Sequence, residues 1–401
     1  MTFPMVLPRF SVSQSIRVAR SIGVVVAACV FFAAVQAAPV SPQPIEPVFV
    51  PLEKAQSLDS VLERIRQYRV VIVGETHGRY DHHLNQLGII QGLRERGVDL
   101  AVGLEFFQRP FQPPLDDYVA GRMDEDQMLR ATEYYQRWRF DYRLYRPILE
   151  YARDQNIPLV ALNMEREITA AVSEKGLDGL SDHQKNKLPD EMERELPGYR
   201  ERLKAVYDLH PVPPGGEGQR DFERFLSVQL LWDETMAETA ARYLEAHPGR
   251  RMVILAGSGH VEDTGIPSRL KRRIGKDQVI SVLQTNGGDI GPNDADLLIL
   301  SRERRLPTAG KMGILMEDHE DGGVLVQGVR KHSAAEDAGL EEDDVLTRLA
   351  DKPVGDTVDV RLILRDRKPG EILSVTVQRP ALFGSYNEKT MNLILGGATH
   401  E

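Results

Sequence analysis

Cysteine and long apolar runs are scarce in this chain. Its one cysteine in 401 residues, Cys29, lies in an N-terminal apolar segment, so the chain beyond that segment can form no internal disulfide. The apolar run at 22–35 is shorter than a membrane span requires. The chain also lacks a basic block and has a formal net charge of −10, which argues against nucleic acid as a partner.

Three common catalytic signatures are missing as well. The sequence has no Walker loop, no Gly-x-Gly-x-x-Gly fingerprint and no Ser-His-Asp order where such a mechanism would need it. The run Gly257-Ser258-Gly259-His260 is too short for a nucleophile elbow. We therefore look for function in histidine and carboxylate side chains.

Residues 1–37 are typical of a signal peptide. Arginines precede the apolar run, and Val35-Gln36-Ala37 resembles a signal-peptidase site. The residues before Cys29 resemble a lipobox, so two destinations stay open. The protein is released into the periplasm after simple cleavage, or it is a lipoprotein anchored to a membrane of the bacterial envelope. Residues 38–50 are Pro-rich and predict a linker.

The same local pattern occurs twice in the chain. A β-branched run at 70–73 leads into Gly74-Glu75-Thr76-His77, and another at 252–255 leads into Ala256-Gly257-Ser258-Gly259-His260. Apolar runs of this length predict buried strands, and glycine marks a sharp exit. Both histidines should therefore lie at the carboxyl edge of one sheet, where ligands bind in open α/β folds.

Strands and helices are predicted to alternate through most of the chain. Strands are expected at 70–73, 99–104, 158–162, 252–256 and 279–283. Helices are expected at 55–68, 81–96, 124–135, 144–155, 164–174, 191–207 and 221–246. This alternation favours an α/β fold with a largely parallel sheet flanked by helices. A charged segment at about 176–218, which ends in a Pro/Gly loop containing His210, is expected to form a helical cap over the sheet edge.

A carboxylate also follows the second predicted strand. Glu105 comes directly after an apolar run, and a buried carboxylate needs a partner, which Arg109 could supply in a purely structural role. Its position at a strand end favours the sheet edge instead. The residues that we expect to converge there are Glu75, His77, Glu105 and His260. Such a set suits either a divalent metal such as zinc or manganese, or general acid/base catalysis.

Three further side chains are candidate ligands of haem iron. Tyr80, His82 and His83 open the helix after the first turn, and a Tyr or His near a pocket can ligate haem. For either histidine alone, a solvated helix residue is the simpler interpretation. Asn163 is expected to point into the same pocket. The aromatic block formed by Trp138, Phe140, Tyr142 and Tyr145 could hold a flat anionic ligand such as a porphyrin, although core packing is the favoured interpretation.

Residues 308–380 resemble a PDZ domain. Three motifs occur in the order that PDZ domains show. They are Lys311-Met312-Gly313-Ile314-Leu315, the small-residue stretch Ala334-Ala335-Glu336-Asp337-Ala338-Gly339-Leu340, and Asp344-Val345-Leu346. One departure is that Asp343 stands where PDZ domains usually have glycine. The resemblance implies that a peptide carboxylate binds at Met312, Gly313, Ile314 and Leu315. Residues 381–401 are expected to form a loose tail.

Residues 51–300 resemble the ChaN-like haem-binding uptake family of the Tiki superfamily. The shared motifs are Gly74-Glu75-Thr76-His77 with a His pair downstream, Leu104-Glu105, Asn163 and Gly257-Ser258-Gly259-His260. The resemblance implies an exported protein linked to haem or iron uptake. Related branches are metalloproteases and erythromycin esterase-like hydrolases, whose active sites correspond to Glu75, His77, Glu105 and His260.

Three functional interpretations are consistent with these observations. The protein binds haem or an iron complex at the cell envelope, with the PDZ domain tethering it to a peptide or an envelope protein. Alternatively, the His/Glu cluster is the site of a metal-dependent hydrolase or protease. A third interpretation is an envelope scaffold with a vestigial pocket. Whether the protein is an enzyme therefore stays open.

Overall fold

The β-branched apolar runs form a central sheet of six parallel strands. In the computed structural model, the described residues are 54–209, 221–285, 291, 294–381 and 384–397. The strands of this sheet are β1 (Val70–Glu75), β2 (Leu100–Gln108), β3 (Leu159–Asn163), β4 (Arg251–Gly257), β5 (Val279–Thr285) and β6 (Leu297–Leu300). The predicted fold class, a parallel sheet flanked by helices, is confirmed.

Helices occupy most of the connections between these strands. Those before β3 are α1 (Leu58–Ile65), α2 (Tyr80–Glu95), α3 (Gln112–Val119), α4 (Glu125–Ala131), α5 (Tyr134–Arg137) and α6 (Arg146–Asp154). Those after β3 are α7 (Arg166–Lys175), α8 (Asp182–Lys185), α9 (Tyr199–Leu209), α10 (Phe222–Ala246), α11 (Ser258–Val261) and α12 (Ile266–Ile274). None of the described helices is long and apolar enough to span a membrane.

The strand order β3-β2-β4-β1-β5-β6 brings the two Gly-x-x-His turns together. β1 pairs with β4 in a register that sets Glu75 opposite Gly257, and β2 pairs with β4 on its other side. Because neighbouring strands lie about 5 Å apart, the carboxyl ends of β1, β2 and β4 deliver their side chains to one small area.

Alternate strand residues pack on opposite faces of the sheet. Val71 and Val73 contribute to a core that includes α2 and α6, whereas Val70 and Ile72 contribute to a core that includes α10 and α12. Both faces are covered by helices, so the central strands are apolar throughout instead of alternating between polar and apolar residues.

Two segments differ from the predicted elements. The strand β6 was not expected, because its apolar run is only four residues long and Leu300 is exposed. The predicted helix at 191–207 begins only at Tyr199 in α9, since Pro197 and the left-handed Gly198 (φ 79°) precede it. The described part of the predicted cap is therefore helical only in α8 and α9. Residues 210–218 of the predicted cap, including His210, lie outside the described residues.

The C-terminal part is a second sheet, antiparallel and β-rich. Its elements are β7 (Ile314–Asp318), β8 (Val324–Val329), α13 (Ala334–Ala338), β9 (Val345–Leu349), β10 (Lys352–Pro353), α14 (Thr357–Leu364), β11 (Ile372–Pro380) and β12 (Tyr386–Ile394). The strand order is β12-β11-β9-β8-β7, with β10 paired to β9. Asp343 takes the left-handed conformation (φ 71°) that glycine would adopt there more easily, and aspartate tolerates it.

The expectation of a loose tail at 381–401 is wrong for residues 386–394. These residues form β12, which pairs antiparallel with β11 along its whole length. The sequence hides this strand because Leu393 is its one buried residue, so no alternation of polar and apolar residues marks it. Backbone pairing with β11 decides its conformation.

The two sheets belong to one compact unit, Val50–Glu401. Arg130 of α4 contacts Asp356 and Asp359 at the start of α14. Next to α14, Arg365 forms an ion pair with Glu125 of α4, and both side chains are about one-tenth exposed. The helix α14 is thus fixed to α4 by charge-assisted hydrogen bonds.

Candidate functional site

The first histidine of the sheet edge is oriented by a carboxylate. Glu75 is the last residue of β1 and is 3% exposed. The Nδ1–H of His77 donates a hydrogen bond of 2.6 Å to Glu75 Oε1. A carboxylate on Nδ1 fixes the ring orientation and leaves Nε2 as the nitrogen that can face a ligand.

Glu105 and Gly257 connect the first histidine to the second. Glu105 Oε2 accepts a hydrogen bond of 2.6 Å from the backbone N–H of Gly257, and Glu105 Oε1 lies 3.5 Å from His260 Nε2. A Cβ at Gly257 would come within 2.9 Å of His77 Cε1 and 3.6 Å of Glu105 Oε2. His77 and Glu105 therefore meet over Gly257. The structure brings Glu75, His77, Glu105 and His260 into one cluster.

A second carboxylate orients His260 and was not foreseen from the sequence. Asp233 lies on α10, is 1% exposed, and accepts a hydrogen bond of 2.6 Å from His260 Nδ1. Its other oxygen accepts a hydrogen bond of 2.7 Å from the hydroxyl of Tyr199 on α9. The signal in the sequence was a carboxylate directly after the apolar residues Leu230-Leu231-Trp232, because a buried charge requires a partner.

The neighbouring carboxylates raise the pKa of both histidines. Burial lowers the pKa of His77, but the hydrogen bond to Glu75 and the charge of Glu105 outweigh it, so the pKa stands above its usual value. Burial also opposes protonation of His260, yet Asp233 and Glu105 raise its pKa to about 9. His260 is therefore an imidazolium at neutral pH, hydrogen-bonded to a carboxylate.

An aromatic wall stands beside His77. The rings of Trp138 and Phe140 each lie 4.8 Å from the His77 ring, measured between centroids. Phe140 is exposed and Trp138 is half-buried, whereas Tyr142 and Tyr145 are buried in the core. The aromatic block is thus divided between core packing and an open surface next to His77.

The three predicted iron ligands differ in how far they are buried. Tyr80 is half-buried, whereas His82 and His83 are 2% and 1% exposed. His82 Nδ1 accepts a hydrogen bond from the N–H of Thr76, and its buried Nε2 has no hydrogen-bond partner among the described residues. Each ring nitrogen of His83 lies 3.1 Å from a carbonyl oxygen. Either histidine would have to leave the core to reach a porphyrin.

Two other side chains support the site from neighbouring elements. Asn163, at the end of β3, donates to the backbone carbonyl of Glu105, so it braces β2 beside the pocket. Arg202 of α9 donates to the carbonyl of Gly259, and its charge acts against protonation of His260. The cap helix α9 therefore contacts the second His turn directly.

The described residues contain no group of three or more His, Cys, Asp or Glu side chains that could hold a metal ion. The expectation of zinc or manganese at Glu75, His77, Glu105 and His260 finds no support in that part of the chain. Their carboxylates are instead engaged with the imidazoles and with a backbone N–H group.

The start of β7 has free backbone donors. The carbonyls of Met312 and Gly313 accept hydrogen bonds from Ala335 and Arg330, but the N–H groups of Met312 and Gly313 donate none to the described residues. Gly313 has a φ of 86°, and a Cβ there would come within 2.4 Å of Ser333 Cβ. Ile314 is half-buried and Leu315 is 67% exposed. Such a turn is a suitable nest for a carboxylate.

Comparisons with known proteins agree with both parts of the chain. A family model described as haem-binding uptake, Tiki superfamily, ChaN matches residues 61–270. A PDZ-domain model matches residues 310–394, which include the whole of β12.

Two individual proteins are similar to a large part of this chain. The chloroplastic protein RETICULATA-RELATED 5 of Arabidopsis thaliana is 26% identical in an alignment of 253 residues that covers 58% of this chain and 33% of the relative. The chain thus spans about a third of that relative. A solved structure, described as cofacial haem binding to ChaN of Campylobacter jejuni, has a TM-score of 0.50 and 17% identity, covering 63% of this chain and 94% of that chain. At this level of sequence identity, the similarity to the solved structure shows only that the two proteins share a fold.

Proposed function

Because this chain belongs to the ChaN-type haem-binding uptake family of the Tiki superfamily, we propose that it binds haem at the carboxyl edge of its parallel sheet. The observation that carries the proposal is His77. Its side chain is 29% exposed, its Nδ1 is occupied by Glu75, and two aromatic rings flank it. The description of the ChaN structure from Campylobacter jejuni as a haem complex supports the same ligand.

The residues around His77 fit the chemistry of haem. A porphyrin needs an apolar surface, a ligand for its iron and cations for its propionates. Trp138 and Phe140 supply the aromatic surface, and His77 Nε2 supplies an iron ligand. Arg139, which lies between Trp138 and Phe140 in the sequence, is exposed and forms no ion pair with the described residues, so it is a candidate cation for a propionate. Tyr80 is a second candidate ligand, because it is less buried than His82 and His83.

A haemin titration tests this proposal. We expect a saturable Soret shift with the wild type and at least a tenfold loss of affinity in His77→Ala. His247→Ala is the matched control, since His247 is exposed and follows α10 near the start of β4, away from the cluster. Tyr80→Phe separates the contribution of the tyrosine. A wild-type protein that leaves the haemin spectrum unchanged would refute haem binding.

The PDZ domain and the N-terminal segment suggest where haem binding takes place. We propose that the C-terminal domain tethers the protein to the C-terminal peptide of an envelope protein. We also propose export, to the periplasm or as a lipoprotein, from the pattern of residues 1–37. Fractionation of cells that express the full chain and its Cys29→Ala variant tests this. A lipoprotein would leave the membrane fraction in the variant, a periplasmic protein would be soluble in both, and a cytoplasmic protein would refute export.

The His260 site favours a second function, which is hydrolysis by general acid/base catalysis. Glu105 Oε1 lies 3.5 Å from His260 Nε2, and Asp233 holds the other ring nitrogen. A carboxylate beside an oriented imidazole is a common arrangement for proton transfer. We would assay peptide and ester substrates with wild type and Glu105→Gln. Turnover that disappears in the variant supports hydrolysis, and equal background in both refutes it.

A further inference from the structure

One edge of the C-terminal sheet is open along a groove. Among the described strands β7 pairs with β8 alone, and α14 lies near its other edge, with the N–H of Thr357 donating to Asp318. A free strand edge beside a helix can accept an extended peptide as an added strand. Selection of peptides by this groove rests on the proposed role of the domain in binding peptide C-termini.

Charge is distributed unevenly along this groove. Near the carboxylate nest at Met312 and Gly313, the side chains of Lys311, Arg330 and Lys331 have no ion-pair partner among the described residues. Arg330 is tied to the nest by its backbone N–H, which donates to Gly313. Free cations at this end favour the terminal carboxylate of a peptide.

The opposite end of the groove is acidic. The end of β7 and the turn after it carry four exposed carboxylates: Glu317, Asp318, Glu320 and Asp321. No described lysine or arginine forms an ion pair with any of them, and Asp318 accepts a backbone N–H instead. Unpaired like charges repel one another, so a cationic ligand would be stabilised here.

The geometry fixes the direction of a bound peptide. A terminal carboxylate at Met312 and Gly313 places the last residue beside the start of β7. The peptide then runs antiparallel to β7, and its upstream residues pass Glu317 and Asp318. With about 3.3 Å per residue in both strands, the acidic end meets peptide positions roughly three to six residues before the terminus.

We propose that the groove between β7 and α14 selects C-terminal peptides with an apolar last residue and lysine or arginine three to six residues upstream. The partner is thus an envelope protein with a basic segment just before an apolar C-terminus. Complementary charges at the two ends of the groove set both the orientation and the choice of peptide.

Fluorescence anisotropy with the full chain tests this proposal. Three labelled ten-residue peptides share an apolar C-terminus: one has two lysines at the upstream positions, one has two glutamates there, and one is the lysine peptide with an amidated terminus. We expect the lysine peptide to bind about tenfold more tightly than the glutamate peptide at low salt, with the difference shrinking as salt rises. Amidation should weaken binding further.

A charge reversal identifies the groups responsible. Glu317→Lys combined with Glu320→Lys should invert the preference between the lysine and glutamate peptides, because both side chains are exposed and unpaired. Glu388→Lys on β12, at the far edge of the sheet, is the matched control and should change nothing. Equal binding of the two peptides would overturn the charge selection but leave peptide binding intact. Binding of no peptide would overturn the tethering function as well.

Discussion

Both histidines of the sheet edge donate a hydrogen bond from Nδ1 to a carboxylate, but the two rings differ in exposure and in what lies near Nε2. The His77 side chain is 29% exposed and its Nδ1 is bonded to Glu75, so under the proposed function a proton and haem iron would compete for Nε2. His260 is less exposed and points its Nε2 at Glu105. At the scale of single residues, Glu75 and Asp233 therefore control which protonation state each imidazole adopts.

The first prediction concerns haem affinity and pH. The pKa of His77 is raised by Glu75 and Glu105, so iron binding should weaken as pH falls through a range above the usual value of about 6.5. Glu75→Gln removes one negative charge and should move the midpoint of this dependence to lower pH. Soret titrations between pH 5 and 9, with Glu245→Gln as an exposed control, measure it. If the pH midpoint of haem affinity is the same in the wild type and in Glu75→Gln, the effect of Glu75 on the pKa of His77 is contradicted.

The second prediction concerns stability and pH. The pKa of His260 is raised to about 9, so its pairing with Asp233 stabilises the fold fully below about pH 6.5 and is lost as pH rises through about 9. Because the pKa of Asp233 is lowered, the contribution also disappears in acid. Asp233→Asn should cost about 1.5–3 kcal/mol at pH 6 and less at pH 9.5. Urea unfolding at both pH values tests this, and a constant difference would argue against the pair.

At the scale of elements, the two edges of the parallel sheet are protected unequally. The free edge of β3 is covered by one side chain, because Gln112 of α3 donates to the carbonyl of Leu159 and accepts from the N–H of Ala161. The side-chain amide of Gln112 thus makes the two backbone hydrogen bonds that a neighbouring strand would otherwise make with β3. β6 at the other edge exposes Leu298 and Leu300.

The third prediction concerns this capped edge. Gln112→Ala leaves one backbone donor and one acceptor of β3 unpaired and should lower the free energy of unfolding by about 1–3 kcal/mol. Gln155→Ala, an exposed glutamine after α6, should change it by less than about 0.5 kcal/mol. Chemical denaturation of both variants compares them. Equal stabilities would show that water satisfies the edge of β3 as well as Gln112 does.

At the scale of the whole molecule, α14 is part of the PDZ domain and also contacts the parallel-sheet domain. It forms one wall of the proposed peptide groove, and it is fixed to α4 by Arg130 and Arg365. Arg361 of α14 also lies over the ring of Tyr135 in α5, which leads to the aromatic wall beside His77. The contact between domains therefore joins the helix beside the proposed peptide groove to the segment that precedes Trp138 in the chain.

The fourth prediction tests this contact between domains. Arg365→Ala removes a poorly exposed partner of Glu125, and combined with Arg130→Ala it should separate the unfolding of the two domains in calorimetry. The segment 301–310 between the sheets should then be cleaved faster by protease. Arg367→Ala is the control, because Arg367 pairs with Glu371 inside the PDZ domain. A single unchanged transition would show that apolar contacts suffice to hold the domains together.

The sequence by itself determined five of the six strands of the parallel sheet, β1 to β5, and the positions of the candidate site residues along them. Apolar β-branched runs exclude most conformations other than a buried strand, and a glycine exit leaves His77 and His260 at strand ends. The family resemblance was confirmed by the match over residues 61–270, and the PDZ resemblance by the match over 310–394. Predictions of this kind were correct because the conformation of a buried strand and of its glycine exit depends mainly on a few neighbouring residues.

Only the tertiary structure decided which side chains meet. The strand order sets β4 between β1 and β2, and this order brings Glu105 to Gly257 and His260. Asp233 reaches His260 from a helix 27 residues earlier in the chain, and a helical pattern cannot specify such a contact. β12 was invisible because its partner strand, and not its own side chains, makes it a strand. Long-range pairing depends on how all elements pack at once, which no local pattern encodes.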